Sequence, residues 1–540
     1  MKNTKSSIWL SALVTGGICL LVYVRALSCK FVNLDDLNYV VNNVNIRHLD
    51  MHLIVWAFTK PLDLWIPLTW LSFALDYSIW GLDAYGYHLT NILLHSINAG
   101  LVVLIADQLC RKLFAEGEYS PETSRLYPVV LVVAGLAFGI HPLRVESVAW
   151  VAERKDVLSG VFSLGTLYFY INAVQHGEPA RKRMNLIVSL ALFTFSLMAK
   201  PVSVVLPAIM LVVDWYPLKR FVKGNMHLLL VEKLPFMLLS FGTAVITMSV
   251  AVHKNMLVPI DLLPVSERLF ISGRAIFEYM YLLLFPVGII PYYVIPDPVP
   301  LSYAIKTMAV VVVAGYCAYS ARKRPWVLAT FLGFIIPILP VLSVTQNGAQ
   351  SLAARYTYLP SVAASIALGA ALFPLLRRIR LSWHRSGMVA VGGCVVVLLL
   401  SYAWMTQRLI GVWNDSVTFW SRVIELQPTY RAYKERGVNN STSGRYPEAI
   451  RDLTVAIGLA RESGIPDLYN LYAWRGEMNR VTGHPAEAVA DLTAAIDIQP
   501  RPVYYYIRGV ALQSLGRTAE SKADLTRAGN NHGPIDWYEE

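Results

Sequence analysis

Charged residues are scarce in this sequence of 540 residues. Only 15% of the residues are Asp, Glu, Lys or Arg, whereas 55% are hydrophobic. A soluble globular domain carries about a quarter charged residues, so this composition excludes a wholly soluble protein. The five cysteines form no Cys-x-x-Cys pair and lie mostly in or beside apolar stretches, which favours small packing residues over a thiolate metal site.

The sequence also lacks the short motifs of common soluble enzymes. It contains no Gly-x-x-x-x-Gly-Lys-Ser/Thr phosphate loop, no His-Glu-x-x-His zinc motif and no Gly-x-Ser-x-Gly nucleophile elbow. The net charge of +11 comes from short Lys and Arg clusters between apolar runs. Such clusters are typical of membrane topology determinants and not of a nucleic-acid surface, so we expect no nucleic-acid partner.

Long hydrophobic runs, by contrast, are abundant. Because a helix that crosses a bilayer core needs about 20 apolar residues, these runs predict an all-α, multi-pass membrane protein with about eleven transmembrane helices. A further candidate, Leu269–Ile290, carries Arg274 and Glu278 and is predicted to be re-entrant or to lie along the interface. The eleven runs are residues 7–27, 88–106, 127–141, 156–174, 184–200, 202–217, 233–252, 301–320, 326–344, 356–376 and 388–406.

The basic clusters predict the orientation of the chain, because Lys and Arg concentrate on the cytoplasmic side of membranes. Eleven crossings place every cluster in the cytoplasm together with the N-terminus, whereas a twelfth crossing would put the cluster Arg322–Arg324 outside. Residues 28–87 then form the first extracytoplasmic loop of a transmembrane domain, 1–412. The C-terminal segment 413–540 is also predicted to be extracytoplasmic.

The C-terminal segment contains an internal repeat. Three related stretches begin 39 and 33 residues apart: GRYPEAIRDLTVAI at Gly444, GHPAEAVADLTAAI at Gly483 and GRTAESKADLTRAG at Gly516. A period near 34 residues with an Ala-rich second helix is typical of tetratricopeptide repeats (TPR). The sequence therefore predicts a C-terminal TPR α-solenoid.

Two adjacent acids follow the first apolar run, in the stretch FVNLDDLNYVVNN. Asp35 and Asp36 repel each other, so the pair requires either solvent or a function. Taken alone, a pair of this kind is more often a solvated turn than a site. The predicted topology, however, keeps both carboxylates close to the outer membrane surface.

A charged hairpin, HPLRVESVAWVAERKD (His141–Asp156), interrupts the apolar runs on the same predicted side. Solvated capping and phosphate binding both explain its charges, since Arg and Lys form charge-assisted hydrogen bonds with phosphate. Lys200 and Arg355 lie at span ends on that side, where snorkelling bases are common. Together these residues suit a lipid-phosphate donor used at the bilayer surface.

These stretches, with WIPLTWLSFALDYSIWGLDAYGYHLTNILLHSINAGL and the repeats, resemble one known arrangement. It is that of the transmembrane and tetratricopeptide-repeat-containing O-mannosyltransferase-like family in its bacterial form, and more broadly the GT-C glycosyltransferase superfamily. One departure is Ile66, where bacterial relatives usually have His. The resemblance implies a bacterial inner (cytoplasmic) membrane enzyme that transfers a sugar from a polyprenyl-phosphate donor.

The resemblance also implies roles for particular residues. Asp35 and Asp36 match the catalytic acidic motif, with Glu146 and His141 as orienting groups. The residues expected to bind the donor phosphate are Arg154, Lys155, Lys200 and Arg355. No cofactor is expected to be required, because a monophosphate-linked donor does not demand a metal. A divalent metal at Asp35 and Asp36 stays an open alternative.

Other functions compete with this interpretation. The repeats present a concave surface that grips peptides, so they predict an acceptor protein or peptide as a partner beside the lipid bilayer. A membrane-anchored TPR scaffold without catalysis would need only one span, which makes eleven hard to explain. A transporter would place polar or broken helices at mid-membrane, whereas these charges gather at the predicted outer ends.

Overall fold

The computed structural model describes residues 2–114, 126–175, 177–222, 224, 226–296, 298–345, 350–382, 385–465 and 468–529. The chain forms two compact units, Met1–Asn414 and Asp415–Glu540. This division lies next to the predicted boundary between 1–412 and 413–540. Residues 530–540, at the end of the predicted repeat domain, lie outside the described residues.

The first unit is almost entirely helical, as the all-α prediction requires. Its short antiparallel ladder pairs β1 (Tyr293–Val294) with β2 (Gln350–Leu352). The helices are α1 (Lys2–Tyr23), α2 (Met51–Thr59), α3 (Pro67–Trp80), α4 (Ala84–Leu113), α5 (Leu126–Gly139), α6 (Val145–Ala149), α7 (Arg154–Gln175), α8 (Pro179–Ala199), α9 (Leu206–Trp215), α10 (Met226–His253), α11 (Val265–Leu284), α12 (Leu301–Ser320), α13 (Pro325–Ile335), α14 (Pro360–Ser382) and α15 (Arg385–Ile410).

The described part of the chain has eight helices long and apolar enough to cross a bilayer. A ninth is formed if Leu126–Gly139 and Pro142–Ala149, which meet at a bend of 50°, count as one broken span. Two shorter apolar helices, Pro201–Trp215 and Pro325–Val341, coincide with the remaining apolar runs. Each of the eleven runs therefore lies in a helix, while eleven crossings stay a prediction because three of these helices are short or bent.

A buried polar stripe on α4 holds the charged hairpin in place. The amide of Asn91 donates hydrogen bonds to the carbonyl oxygens of Val148 and Trp150, at 3.3 and 3.1 Å. The amide of Asn98 donates to the carbonyl of Val157 at 2.8 Å. Backbone groups at a helix break cannot pair within the helix, and in an apolar body they need another partner. Asn91 supplies that partner at the break, and Asn98 ties the first turn of α7 to α4, which allows a broken segment to lie inside the bundle.

In its described residues the second unit has seven helices, a first helix followed by three packed pairs. Each repeat carries the same ion pair between its two helices: Arg436–Asp452, Arg475–Asp491 and Arg508–Asp524 all bind through two N–H donors. A Cβ atom at Gly476 would lie 3.0 Å from the Leu492 Cγ, so glycine permits the close approach of α19 and α20. This arrangement is compatible with the predicted solenoid. The helices are α16 (Ser416–Leu426), α17 (Tyr430–Thr442), α18 (Tyr446–Glu462), α19 (Leu468–Val481), α20 (Pro485–Ile498), α21 (Pro502–Ser514) and α22 (Thr518–Ala528).

The repeated ion pair predicts a stability effect. Asp491→Ala leaves the Arg475 guanidinium and the Asn479 amide without their buried acceptor. Because Arg475 is partly exposed, we expect a loss of about 2 kcal/mol in the free energy of unfolding, less than for a fully buried pair. Urea unfolding of a fragment with residues 415–529, followed by circular dichroism, measures this loss.

The matched control is Arg451→Ala, which removes an exposed ion pair with Glu448 in the neighbouring repeat. Exposed pairs contribute little, so we expect a change below about 0.5 kcal/mol. Equal losses in the two variants would contradict the structural role of the buried pair.

Candidate functional site

The two adjacent acids of the first loop have different surroundings. Asp36 is buried, with 1% of its surface exposed. Its two carboxylate oxygens accept hydrogen bonds from the backbone N–H groups of Val32 and Ala152, at 2.9 and 2.8 Å. Asp36 therefore fastens the first loop to the charged hairpin, and both of its oxygens are already occupied.

Asp35, in contrast, has a side chain that is 40% exposed. Its Oδ2 atom lies 3.2 Å from the Nζ atom of Lys155, which in turn lies over the ring of Tyr39. A carboxylate that is reachable from solvent and oriented by a cation can accept a proton from a bound hydroxyl. Of the adjacent acids, Asp35 is the one that a substrate can reach.

Behind Lys155 lies a chain of buried ion pairs centred on Glu153, whose exposed fraction is 1%. The Glu153 Oε1 atom is 3.2 Å from both Lys155 Nζ and Arg355 Nε. Its Oε2 atom is 3.2 Å from Lys200 Nζ. One carboxylate thus gathers three cations that come from three separate parts of the chain.

Two further carboxylates complete this cluster. The Asp156 Oδ1 atom is 2.6 Å from Lys200 Nζ, and its Oδ2 accepts a hydrogen bond from Ser147. The Glu146 carboxylate accepts hydrogen bonds from both the guanidinium and the backbone N–H of Arg355. We refer to Asp35, Glu146, Glu153, Lys155, Asp156, Lys200 and Arg355 as the ion-pair cluster.

The positive charge of the ion-pair cluster is more than compensated, since its four carboxylates face three cations. The sequence predicts a positive girdle from Lys155, Lys200 and Arg355, and the structure brings these three together. It also shows that each of them already has an acidic partner. Phosphate binding at these cations therefore involves exchange of one anion for another.

Arg154 and His141 lie apart from the cluster. The Arg154 guanidinium is fully buried, pairs with Asp76 at 2.6 Å and donates to the Tyr87 carbonyl. His141 accepts a hydrogen bond from the Leu143 N–H at the start of a short turn, and its ring packs on Tyr402. Their predicted roles at the phosphate and at the base are untested, and their surroundings are those of structural residues.

Two cavities adjoin the ion-pair cluster. A small one of about 20 Å³ is lined in part by Asp156, Lys200 and Arg355, and has room for about one water molecule. A larger apolar cavity of about 530 Å³ lies among α4, α7, α9, α13 and α14. Pro337 and Leu359 line both cavities, so the apolar space ends beside the cations.

A further acid of the first loop, Asp63, was missed as a site candidate. Its Oδ2 accepts a hydrogen bond from the Tyr39 hydroxyl at 3.3 Å. Partial burial and the nearby Asp35 raise the pKa of Asp63.

Within the described ranges, no group of three or more His, Cys, Asp or Glu side chains is arranged to hold a metal ion.

Glu153 and Asp156 were also not assigned roles from the sequence, although a signal exists. They are three residues apart where α7 begins, so the two side chains face the same side of the chain. The sequence does not show that Lys200 and Arg355, distant along the chain, come to that side.

The fastening role of Asp36 predicts a pH-dependent stability. Burial raises the pKa of Asp36 from 3.8 to about 7, although its two backbone donors favour the charged form. The folded protein then binds more protons than the unfolded chain between these values, so wild type loses stability as pH rises from about 4 to 7. Asp36→Asn cannot titrate and lacks this decline.

The same substitution turns one acceptor into a donor and leaves a buried N–H unpaired, which costs about 1–3 kcal/mol. We therefore expect a lower melting temperature for Asp36→Asn at about pH 5. The difference from wild type should shrink between pH 5 and pH 8. Thermal unfolding of the purified full chain measures both, and a difference that is constant with pH would contradict the raised pKa.

Known proteins share sequence with this chain. Protein O-mannosyl-transferase tmtc2 from Xenopus laevis is 40% identical over 105 residues, which are 19% of this chain and 11% of that protein. TMTC4 from Homo sapiens is 30% identical over 31% of this chain and 23% of its own length. TMTC1 from Homo sapiens is 24% identical over 83% of this chain and 55% of its own length. This chain thus spans about half, or less, of these curated relatives.

Two solved structures show a weaker likeness. An Archaeoglobus fulgidus oligosaccharyltransferase in the apo form gives a TM-score of 0.41 at 13% identity, over 79% of this chain and 59% of that one. ArnT from Cupriavidus metallidurans, bound to undecaprenyl phosphate, gives 0.34 at 13% identity, over 94% and 78%. TM-scores below 0.5 do not establish a common fold, and no protein-family model matches the chain. The sequence relatives confirm the resemblance to the transmembrane and tetratricopeptide-repeat-containing O-mannosyltransferase-like family.

Proposed function

We propose that this protein is a membrane glycosyltransferase. It moves a hexose, mannose-like, from a polyprenyl-phosphate donor to an acceptor hydroxyl, with Ser or Thr of an extracytoplasmic protein as the acceptor. The observation that carries the proposal is the position of Asp35, an exposed carboxylate at the edge of the ion-pair cluster, which adjoins an apolar cavity. The similarity to proteins named protein O-mannosyl-transferases supports the same activity.

The lipid donor fits the two adjoining cavities. A polyprenyl chain is apolar and suits the 530 Å³ cavity, whose lining is almost entirely aliphatic and aromatic. The phosphate then lies where Pro337 and Leu359 separate the two cavities, within reach of Lys200 and Arg355. Cations of this kind stabilise the charge that develops on a leaving phosphate.

Asp35 acts as the general base in this mechanism. It accepts the proton of the acceptor hydroxyl as the hydroxyl oxygen attacks the anomeric carbon of the sugar. The bond from that carbon to the phosphate oxygen breaks, and the polyprenyl phosphate leaves with the electron pair. A single displacement of this kind inverts the anomeric configuration. Lys155, 3.2 Å from Asp35, orients the carboxylate.

The other predicted site residues support the base, Asp35, and the cations that face the donor phosphate. Asp36 holds the first loop against the hairpin, and Glu146 holds Arg355. His141 and Arg154 stabilise the hairpin and the α3–α4 region through their own partners. No cofactor takes part in this mechanism, and the oxygens of Asp36 are occupied by backbone N–H groups, which disfavours a divalent metal held between Asp35 and Asp36.

The repeat unit suits an acceptor protein or peptide as a partner. Partly exposed tyrosines pair with arginines there, as in Tyr469 with Arg501 and Tyr505 with Arg527. Tyrosine and arginine are enriched where proteins bind other proteins. On the predicted topology this unit and Asp35 share the extracytoplasmic side of a bacterial inner membrane. A TPR scaffold without catalysis is the alternative, and it requires no exposed base.

Asp35→Asn separates the two functions. The substitution removes the base without changing the size of the side chain, so we expect transfer to fall by about 100-fold or more, as for general bases elsewhere. Mass spectrometry of envelope glycoproteins measures the effect in a strain that lacks this protein and is complemented with each variant. A scaffold predicts full restoration of the hexose by Asp35→Asn.

The matched control is Asp50→Asn in the same loop. Asp50 caps α2 by accepting a hydrogen bond from the Leu53 N–H, and Asn caps helices equally well. We expect this variant to restore glycosylation fully. Equal loss in both variants would show that the loop, and not the base, was affected.

Ala367→Phe tests the lipid cavity, because Ala367 lines the 530 Å³ space. Exclusion of only two CH₂ groups from an apolar cavity costs about 1.6 kcal/mol, so we expect about a tenfold higher KM for a long-chain donor. A donor with one or two isoprene units should be affected less. Leu368→Phe, an exposed neighbour outside the lining, is the control. An equal change in KM for long-chain and short-chain donors would contradict the assignment of the cavity.

A further inference from the structure

Glu153 contacts more of the ion-pair cluster than any other carboxylate in it. Lys155, Lys200 and Arg355 all lie 3.2 Å from its two oxygens. Like charges this close repel each other strongly when they are buried, so they stay together only around an anion. Each cation has a further acidic partner of its own, and Glu153 is the carboxylate that all three share.

Two of these cations, Lys200 and Arg355, are those that the proposed function gives to the donor phosphate. The small cavity of about 20 Å³ beside Lys200 and Arg355 has room for only about one water molecule. A phosphate group is larger than that, and it also carries the charge that Glu153 already supplies. The phosphate and the Glu153 carboxylate therefore compete for the same positive charges.

We propose that Glu153 is an internal counter-ion that takes the place of the lipid phosphate between turnovers. It holds Lys155, Lys200 and Arg355 together while no donor is bound. When a donor binds, the phosphate takes over part of this role. After transfer, the carboxylate regains the cations and displaces the polyprenyl phosphate. Glu153 is thus a positioning residue, and the inference rests on the proposed function because it assumes a phosphate at these cations.

The competition predicts whether a substitution of Glu153 raises or lowers the affinity for the phosphate. Glu153→Gln keeps the size of the side chain and removes one negative charge. The three cations then have two buried carboxylates, Glu146 and Asp156, and the partly exposed Asp35. A bound phosphate then restores the missing charge. At about 6 Å and an effective dielectric constant of about 20, one unit charge changes the interaction by more than a tenfold step in affinity. We expect farnesyl phosphate to bind Glu153→Gln about tenfold more tightly than wild type.

The kinetic consequence separates this role from a merely structural one. Tighter binding of both donor and product lowers KM for the donor and also lowers kcat, because the polyprenyl phosphate leaves slowly. A residue that only supports the fold would raise KM or reduce the amount of active protein. A residue that only binds the donor would raise KM as well.

The test is a titration of the purified full chain in nanodiscs with farnesyl phosphate and, separately, with farnesol. The melting temperature reports binding by linkage. Tighter binding of the phosphate by Glu153→Gln, with unchanged binding of farnesol, supports the proposal. Equal or weaker phosphate binding overturns it, and so does the absence of phosphate-dependent binding in both proteins. Asp214→Asn is the control, since it removes a buried partner of Arg220 and Lys233 outside the ion-pair cluster.

A second variant decides the matter if Glu153→Gln does not fold. Asp156→Asn removes one of the two acidic partners of Lys200 and leaves Glu153 in place, so we expect a smaller gain in phosphate affinity of the same sign. No gain overturns the proposal. A failure of the proposed function gives a different result. Wild type would then transfer no sugar, while Glu153→Gln and Asp156→Asn would still bind farnesyl phosphate more tightly than wild type.

Discussion

The ion pairs around Glu153 are the interaction on which the rest of the site depends. Isolated charges inside an apolar body are strongly unfavourable, so Lys155, Lys200 and Arg355 can be buried there only because acids meet them. The three cations come from the charged hairpin, the break after α8 and a turn before α14. One buried carboxylate thus brings distant parts of the chain to a single place.

This arrangement needs a backbone that leaves its helical path within the bundle. The hairpin does so between α5 and α7, where carbonyl groups lose their helical partners. Asn91 on α4 supplies donors to two of these carbonyls, and Asn98 donates to the first turn of α7. Asp36 then joins the first loop to the hairpin through the Ala152 N–H, which leaves Asp35 at the edge of the cluster. The burial of Asp36 and the exposure of Asp35 therefore have one cause.

Much of the fold could be predicted from the sequence, because apolar runs and repeat spacing are local signals. The helices of the first unit coincide with the runs, and the helix pairs of the second coincide with the repeats. The adjacency of Asp35 and Lys155 follows from residues that topology places on one side. The separation of Arg154 from Lys155 could not be predicted, because successive residues where a helix begins point in different directions. The central place of Glu153 depends on contacts with Lys200 and Arg355, which spacing along the chain does not encode.

The central claim is that one exposed carboxylate activates a hydroxyl against a sugar held by a leaving lipid phosphate. The most direct measurement is the anomeric configuration of the product. Purified full-length protein is incubated with a polyprenyl-phosphate hexose of known configuration and a Ser- or Thr-containing acceptor, and the glycopeptide is analysed by nuclear magnetic resonance. The account predicts inversion with release of one polyprenyl phosphate per sugar. Retention of configuration, or an unmodified acceptor, would contradict it.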